Sequence, residues 1–233
     1  MAHEILKPEW GKRPIRGVLF DMDGLVLDSE ILYSRFWREA AAVHGYTMGY
    51  EQSLKMRALN TQLGIQTIRS FFGPDADYHA IRNTRIQMMD AYIAEKGVEV
   101  KPGIFELMVY LKERGIRSAI TSSSPLSRIQ NHLGRHGLDK QFNALCSGYD
   151  VPRGKPEPDI YLHGAASLGL RPEECLALED APSGILSAYR AGCLPVMIPD
   201  LDQPNSETRQ LLYAQADSLT DIIDLIELQN GHR

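Results

Sequence analysis

Five short apolar runs, each closed by polar or turn-forming residues, constrain this chain more than any other feature. They are Gly17-Val-Leu-Phe20, Arg117-Ser-Ala-Ile120, Ala144-Leu-Cys146, Cys175-Leu-Ala-Leu178 and Pro195-Val-Met-Ile198. Runs this short read as buried strands when helical patterns lie between them. Amphipathic stretches do lie between or beside them, from Ile104 to Arg114, Leu126 to His136, Asp159 to Leu168 and Ser183 to Ala191. Strand and helix in alternation, joined by short loops, predict βαβ units: an α/β fold with a Rossmann-like parallel sheet and helices on both faces.

One interval breaks the alternation. From about Ile31 to Val100 there is only helical patterning, interrupted near Gly45, Gly64 and Gly73-Pro74. That is too long for a loop and predicts an inserted helical subdomain. The expected division is a core of residues 1–32 and 102–233 around a helical insert, 33–101. Pro8, Trp10 and Pro14 suggest an irregular N-terminal extension, and Leu219 to Leu228 an acidic surface helix.

Composition removes several function classes. Thirty acidic against 25 basic residues give a formal charge of −5, the wrong sign for a protein relying on a broad basic face to bind nucleic acid. The three cysteines, Cys146, Cys175 and Cys193, are odd in number and lack C-x-x-C spacing, which argues against a disulfide framework or zinc knuckle and for a reducing compartment. The start has no apolar h-region, and no stretch approaches the ~18 apolar residues of a membrane span. A cytoplasmic monomer without nucleic-acid or membrane partners is expected.

In a parallel open sheet, ligands bind outside the carboxyl ends of the strands. The segments that follow the runs therefore matter most: Asp21-Met-Asp23-Gly24, Thr121-Ser122-Ser123-Ser124-Pro125, Arg153-Gly-Lys155-Pro-Glu-Pro-Asp159 and Glu179-Asp180-Ala-Pro-Ser-Gly184. A D-x-D pair alone says little. Asp75-Ala-Asp77 and Asp200-Leu-Asp202 have the same spacing and are expected to be turns. Asp21 and Asp23 differ because an apolar strand precedes them and a glycine follows, letting the chain turn where a side chain would clash. Ser124-Pro125 reads as an N-cap with proline at the first helical position, and Ser122 with neighbouring amides as an anion cradle.

Lys155, constrained between Gly154 and Pro156, would supply positive charge in an otherwise acidic rim. Glu179 and Asp180 facing Asp21 would repel; one such pair at ~4 Å and an effective dielectric near 20 costs on the order of 4 kcal/mol. A hard divalent cation would relieve that repulsion, and magnesium suits phosphate chemistry. No P-loop or dinucleotide fingerprint occurs, and the seven histidines are scattered without H-E-x-x-H spacing.

Asp21-Met-Asp-Gly-Leu-Val-Leu-Asp-Ser-Glu30, Ile120-Thr-Ser122, Gly154-Lys-Pro-Glu-Pro-Asp159 and Leu178-Glu-Asp-Ala-Pro-Ser-Gly184 resemble, in order, the four motifs of the haloacid dehalogenase-like hydrolases. The likeness is to the branch with beta-phosphoglucomutase and the small-metabolite phosphatases, and the insert falls where that branch carries a helical cap. The resemblance implies Asp21 as nucleophile forming an aspartyl-phosphate and Asp23 as general acid and then base. It implies Mg2+ held by the Asp21 carboxylate, the Asp23 backbone carbonyl and Asp180, with Glu179 as a ligand or acting through water, and Ser122 and Lys155 binding the transferring phosphoryl group. Cap closure would exclude water and select the leaving group.

The second aspartate argues for phosphoryl transfer and against dehalogenation. Tyr33 stands where the phosphoglucomutases place a histidine, and Leu59 falls where they place a cap arginine, which favours transfer to water. The expected function is a magnesium-dependent phosphatase acting on a small phosphorylated metabolite, a sugar phosphate or similar. A phosphomutase and a non-catalytic phosphometabolite-binding module are the alternatives. A nucleotide-like substrate also stays open, since the first and fourth motifs look like those of pseudouridine 5′-phosphatase. Lys55, Arg57 and Asn60 are candidate specificity residues, or simply solvated positions on cap helices.

Overall fold

The computed structural model describes residues 3–7, 10, 13–57, 59, 61–201 and 203–231. Its strands are β1 (His3–Ile5), β2 (Gly17–Phe20), β3 (Arg117–Ser122), β4 (Ala144–Ser147), β5 (Cys175–Glu179), β6 (Leu194–Met197) and β7 (Ala214–Ala216). The helices are α1 (Glu30–Val43), α2 (Tyr50–Leu54), α3 (Thr61–Phe72), α4 (Tyr78–Lys96), α5 (Ile104–Glu113), α6 (Leu126–Gly134), α7 (Asp159–Ser167), α8 (Pro182–Ala191), α9 (Ser206–Leu211) and α10 (Asp221–Asn230). Two compact units emerge, Met1–Leu27 with Val100–Arg233, and Asp28–Glu99. Among the described residues no helix is long and apolar enough to cross a membrane.

The first unit is built on one sheet in the order β1-β7-β6-β5-β2-β3-β4. Every pairing is parallel except that of β1 with β7. Strand β2 lies between β3 and β5, with Val18 level with Ser118 on one side and Leu176 on the other. Helices cover both faces, so β2 and β5 are buried along their whole length. That two-sided burial is why they read as uninterrupted apolar runs. The connections leave β2 first toward β3 and β4, and later return to β5 on its other flank. Such a reversal opens a crevice at the carboxyl ends of the strands, the usual place for a ligand in an open α/β sheet.

Two strands carry no signal of that kind. β7 is Ala-Gln-Ala, without a branched or aromatic residue, and β1 is three residues long. They form the sheet edge together, His3 level with Ala216 and Ile5 with Ala214. Residues 3–5, ahead of the stretch expected to be irregular, thus belong to the sheet. Within that stretch, Trp10 lies 5.7 Å from the Tyr189 ring, while Pro8 is outside the described residues.

The second unit contains α1 to α4. Its core gathers Trp37, Ala40, Met48, Ile68, Tyr78 and Ile81. Gly64 does not interrupt a helix as expected; it sits within α3, where even a Cβ would come within 2.5 Å of the Tyr78 ring. Glycine there serves close packing. Asp77 caps α4, its side chain accepting from the amides of His79 at 2.9 Å and Ala80 at 3.1 Å. The Asp75-Ala-Asp77 pair is therefore a helix start.

Candidate active site

Asp21 continues the line of β2, its amide donating to the Leu178 carbonyl at 3.0 Å. The chain then folds back at once. Both Val26 and Leu27 donate to the Met22 carbonyl, at 3.0 and 2.9 Å, and Gly24 donates to Leu27 at 2.9 Å. Gly24 adopts φ +86°, a conformation glycine reaches without steric cost. Met22, Leu25 and Val26 are buried and pin the loop, so the two aspartates leave the sheet on a stiff turn.

Lys155 reaches this point from the segment before α7. Its Nζ donates to Asp21 Oδ1 at 2.5 Å and to Glu179 Oε1 at 2.6 Å. Glu179 ends β5, Asp180 follows it, and oxygens of Asp21, Glu179 and Asp180 lie within 4.8 Å of one another, all three residues buried. The Glu179 carboxyl rests where a side chain at Gly184 would be, since a Cβ there would fall 1.9 Å from Oε1. The glycine at the start of α8 thus makes room for the acid.

Ser122 closes β3 and is buried; its Oγ accepts from the Ser124 amide at 3.1 Å. Ser124 is not the N-cap it was expected to be. Pro125 occupies that position, ahead of Leu126, and the Ser124 hydroxyl donates to Asp23 Oδ2 at 3.4 Å. Ser147 at the end of β4 donates to the Ser124 carbonyl at 2.8 Å and steadies the loop. Asp21, Lys155, Glu179 and Asp180 therefore form one cluster, with Asp23 tied through Ser124 to Ser122.

The other candidates lie in the helical unit. Lys55 is exposed; Arg57 places Nε 2.5 Å from Glu30 Oε2; Asn60 lies outside the described residues. Of the Asp200-Leu-Asp202 pair, Asp200 accepts an ion pair from Lys101 at 2.8 Å, more than the turn expected of it, and Asp202 is outside the described residues.

Sequence reasoning missed Tyr161, whose hydroxyl donates to Glu179 Oε1. The available signal was its place in the first turn of the helix that follows the lysine segment. Ser147 and the spatial role of Gly184 had no local signal.

Burial dominates the electrostatics. It pushes the Asp21 carboxyl up to about 8, against the pull of Lys155 and with help from Glu179 and Asp23. Burial also works against the Lys155 charge, but Asp21 and Glu179 outweigh it and hold the ammonium above its ordinary range. The Tyr161 phenol is lifted well above the ordinary value, first by burial and then by the charges of Glu179 and Asp21, so it stays a donor. Three buried carboxylates are gathered here, two of them sharing the Lys155 ammonium. Their donors are all hard oxygens, the set that suits Mg2+ and not a thiophilic metal. The residues present fit that ion.

An aspartate at the switch point of a parallel sheet is joined by a lysine to the next acidic strand end. A profile of the haloacid dehalogenase-like hydrolases matches residues 15–192, and the chain belongs to that family. It is 33% identical over 210 residues to hexitol phosphatase A of Escherichia coli strain K12, covering 88% of this chain and 93% of that protein. It is also 26% identical over 190 residues to beta-phosphoglucomutase of Bacillus subtilis strain 168, covering 78% and 82%. In fold it is similar to a crystal structure of a HAD hydrolase, family IA, variant 3, from Entamoeba histolytica HM-1:IMSS. That match has a TM-score of 0.77 and 22% identity, covering 91% of this chain and 99% of the other.

Proposed function

We propose that this chain is a magnesium-dependent phosphatase that hydrolyses small phosphate monoesters, hexitol phosphates foremost, through an aspartyl-phosphate. The observation that carries the reading is the buried Asp21 at the end of β2, bonded through Lys155 to Glu179. Similarity to hexitol phosphatase A supports the substrate class. The Asp21, Glu179 and Asp180 carboxylates would hold Mg2+, whose charge offsets that of a phosphate dianion.

The protein's own groups divide the remaining work. An Asp21 oxygen attacks phosphorus in line with the ester oxygen; the Asp21 O–P bond forms as the ester P–O bond breaks. Asp23 gives its proton to the departing alkoxide. It then takes one from the water that attacks the aspartyl-phosphate, releasing inorganic phosphate and restoring both acids. Lys155 and Ser122 bind the equatorial phosphoryl oxygens, where charge accumulates in the transition state.

Purified protein assayed with Mg2+ against hexitol phosphates, aldose phosphates, pseudouridine 5′-phosphate and β-glucose 1-phosphate tests the reading by released phosphate. Hexitol phosphates should turn over fastest. EDTA should silence release and added Mg2+ restore it, and Asp21→Asn should abolish it. Undiminished turnover in Asp21→Asn, or with EDTA present, defeats the mechanism. Similarity to beta-phosphoglucomutase keeps a phosphomutase as the second reading. Phosphorus NMR decides between them: glucose 6-phosphate formed from β-glucose 1-phosphate without free phosphate would make this chain an isomerase.

A further inference from the structure

We infer that Tyr161 is a positioning residue of this site, holding Glu179 and Lys155 so that one oxygen of each neighbouring carboxylate turns inward and the other is kept for a divalent cation. The inference rests on the phosphatase reading above.

The hydrogen bonds divide the oxygens unevenly. Glu179 Oε1 accepts from both Lys155 Nζ and the Tyr161 hydroxyl, and Asp21 Oδ1 accepts from Lys155 Nζ. Glu179 Oε2 and Asp21 Oδ2 are the oxygens left to reach a cation or phosphorus. The Tyr161 ring also backs the lysine, its centroid 5.2 Å from Nζ. An ammonium on an aromatic face keeps its charge while giving up water, so the ring sets where the lysine stands. Tyr161 is fully buried, and one donor and one ring face thereby fix two charged partners.

What delivers the phenol is the seating of its helix. Helix α7 packs on β2, β3 and β4. One turn after Tyr161, Gly164 lies so close to the sheet that a Cβ would fall 2.6 Å from Thr121 Cγ2 and 3.3 Å from Leu19 Cδ2. A methyl at Gly164 must lift the helix or displace Thr121, and lifting withdraws the phenol from Glu179. Thr121 is held by its own hydroxyl, which donates to the Phe20 carbonyl at 3.1 Å, so it does not yield easily.

The test measures Mg2+ binding to the substrate-free, full-length protein by titration calorimetry, beside kcat and KM for a hexitol phosphate. Tyr161→Phe removes one oxygen and keeps the ring. Groups that orient metal ligands from behind typically change metal affinity or activity by 10–100-fold. Tyr161→Phe should therefore weaken Mg2+ by about 10–100-fold and lower kcat comparably, with KM changed by less than about threefold. Gly164→Ala should weaken Mg2+ in the same direction. Adding Thr121→Ser, which deletes the obstructing methyl and keeps the hydroxyl, should recover most of the affinity. A Tyr161→Phe protein that binds Mg2+ within about twofold of the parent overturns the inference. If the parent itself neither binds Mg2+ nor releases phosphate, the phosphatase reading fails instead.

Discussion

Each of the two units buries charge, and they do it differently. In the helical unit Arg57 and Glu30 pair directly, with side chains only 7% and 13% exposed. In the α/β unit the Lys155 ammonium is shared by Asp21 and Glu179, and Asp180 lies beside those two acids. The mutual attraction of a direct buried pair works against its loss of hydration, and losing one partner is costly. In the cluster burial wins over the pull of Lys155, and the carboxyl of Asp21 is pushed up to about 8. The clustered acids are a group that could hold a metal ion, which a single carboxylate paired with arginine does not offer.

The contrast can be broken most forcefully at Lys155. Lys155→Met should lower turnover by about 10²–10³-fold, the usual loss on removing one donor to a transition-state anion. The same substitution leaves Asp21 and Glu179 without their shared counter-charge, so its metal-free form should unfold at lower urea concentration. Steady-state kinetics and urea titration check both halves. Turnover within tenfold of the parent would show that the shared lysine is incidental to the chemistry.

Arg57→Ala probes the direct pair. Taking the guanidinium away from the buried Glu30 carboxylate should cost about 3 kcal/mol of stability, read from urea unfolding. Turnover of a generic aryl phosphate should stay within about threefold, or ~0.6 kcal/mol. A loss confined to hexitol phosphates would instead give Arg57 a part in choosing the substrate and would blur the distinction between the units.

The smallest effect sharpens the comparison. At 100 times its dissociation constant Mg2+ should stabilise the parent by about 2.7 kcal/mol, since a ligand bound only to the native state draws the equilibrium toward it. For a chain of this size that is a rise in melting temperature of roughly 5–11 °C. Asp180→Asn should lose most of the rise, whereas Arg57→Ala should keep it. Equal rises in the parent and Asp180→Asn would place the ion elsewhere.

Much of the α/β core could be read from residue order. β2 was delimited by its apolar run alone, because burial on both faces leaves no polar position to confuse the pattern. β1 and β7 were not, because a three-residue edge strand is made by its neighbour's hydrogen bonds more than by its own side chains. Gly64 misled for a related reason: glycine usually punctuates a helix, and only the Tyr78 ring packed against α3 gives it another purpose. At the strand ends the acids stand out because charged residues directly after apolar runs are conspicuous, and Lys155 stands out between Gly154 and Pro156 ahead of a helix. Tyr161 does not stand out, since an aromatic residue on a core helix looks like packing until its hydroxyl has a partner.

Residue order by itself determined the alternation of strands and helices, the helical insertion, the acids at strand ends and the constrained lysine ahead of a helix. These follow from hydrophobic periodicity and local turn chemistry, which act between near neighbours in the chain. Only the tertiary structure decided that Lys155 bridges Asp21 and Glu179, that Tyr161 stands behind them and that Arg57 is neutralised by Glu30. Those pairings join residues 18 to 134 positions apart, and they exist because the packing of helices on sheet, or on one another, brings distant groups within hydrogen-bonding reach.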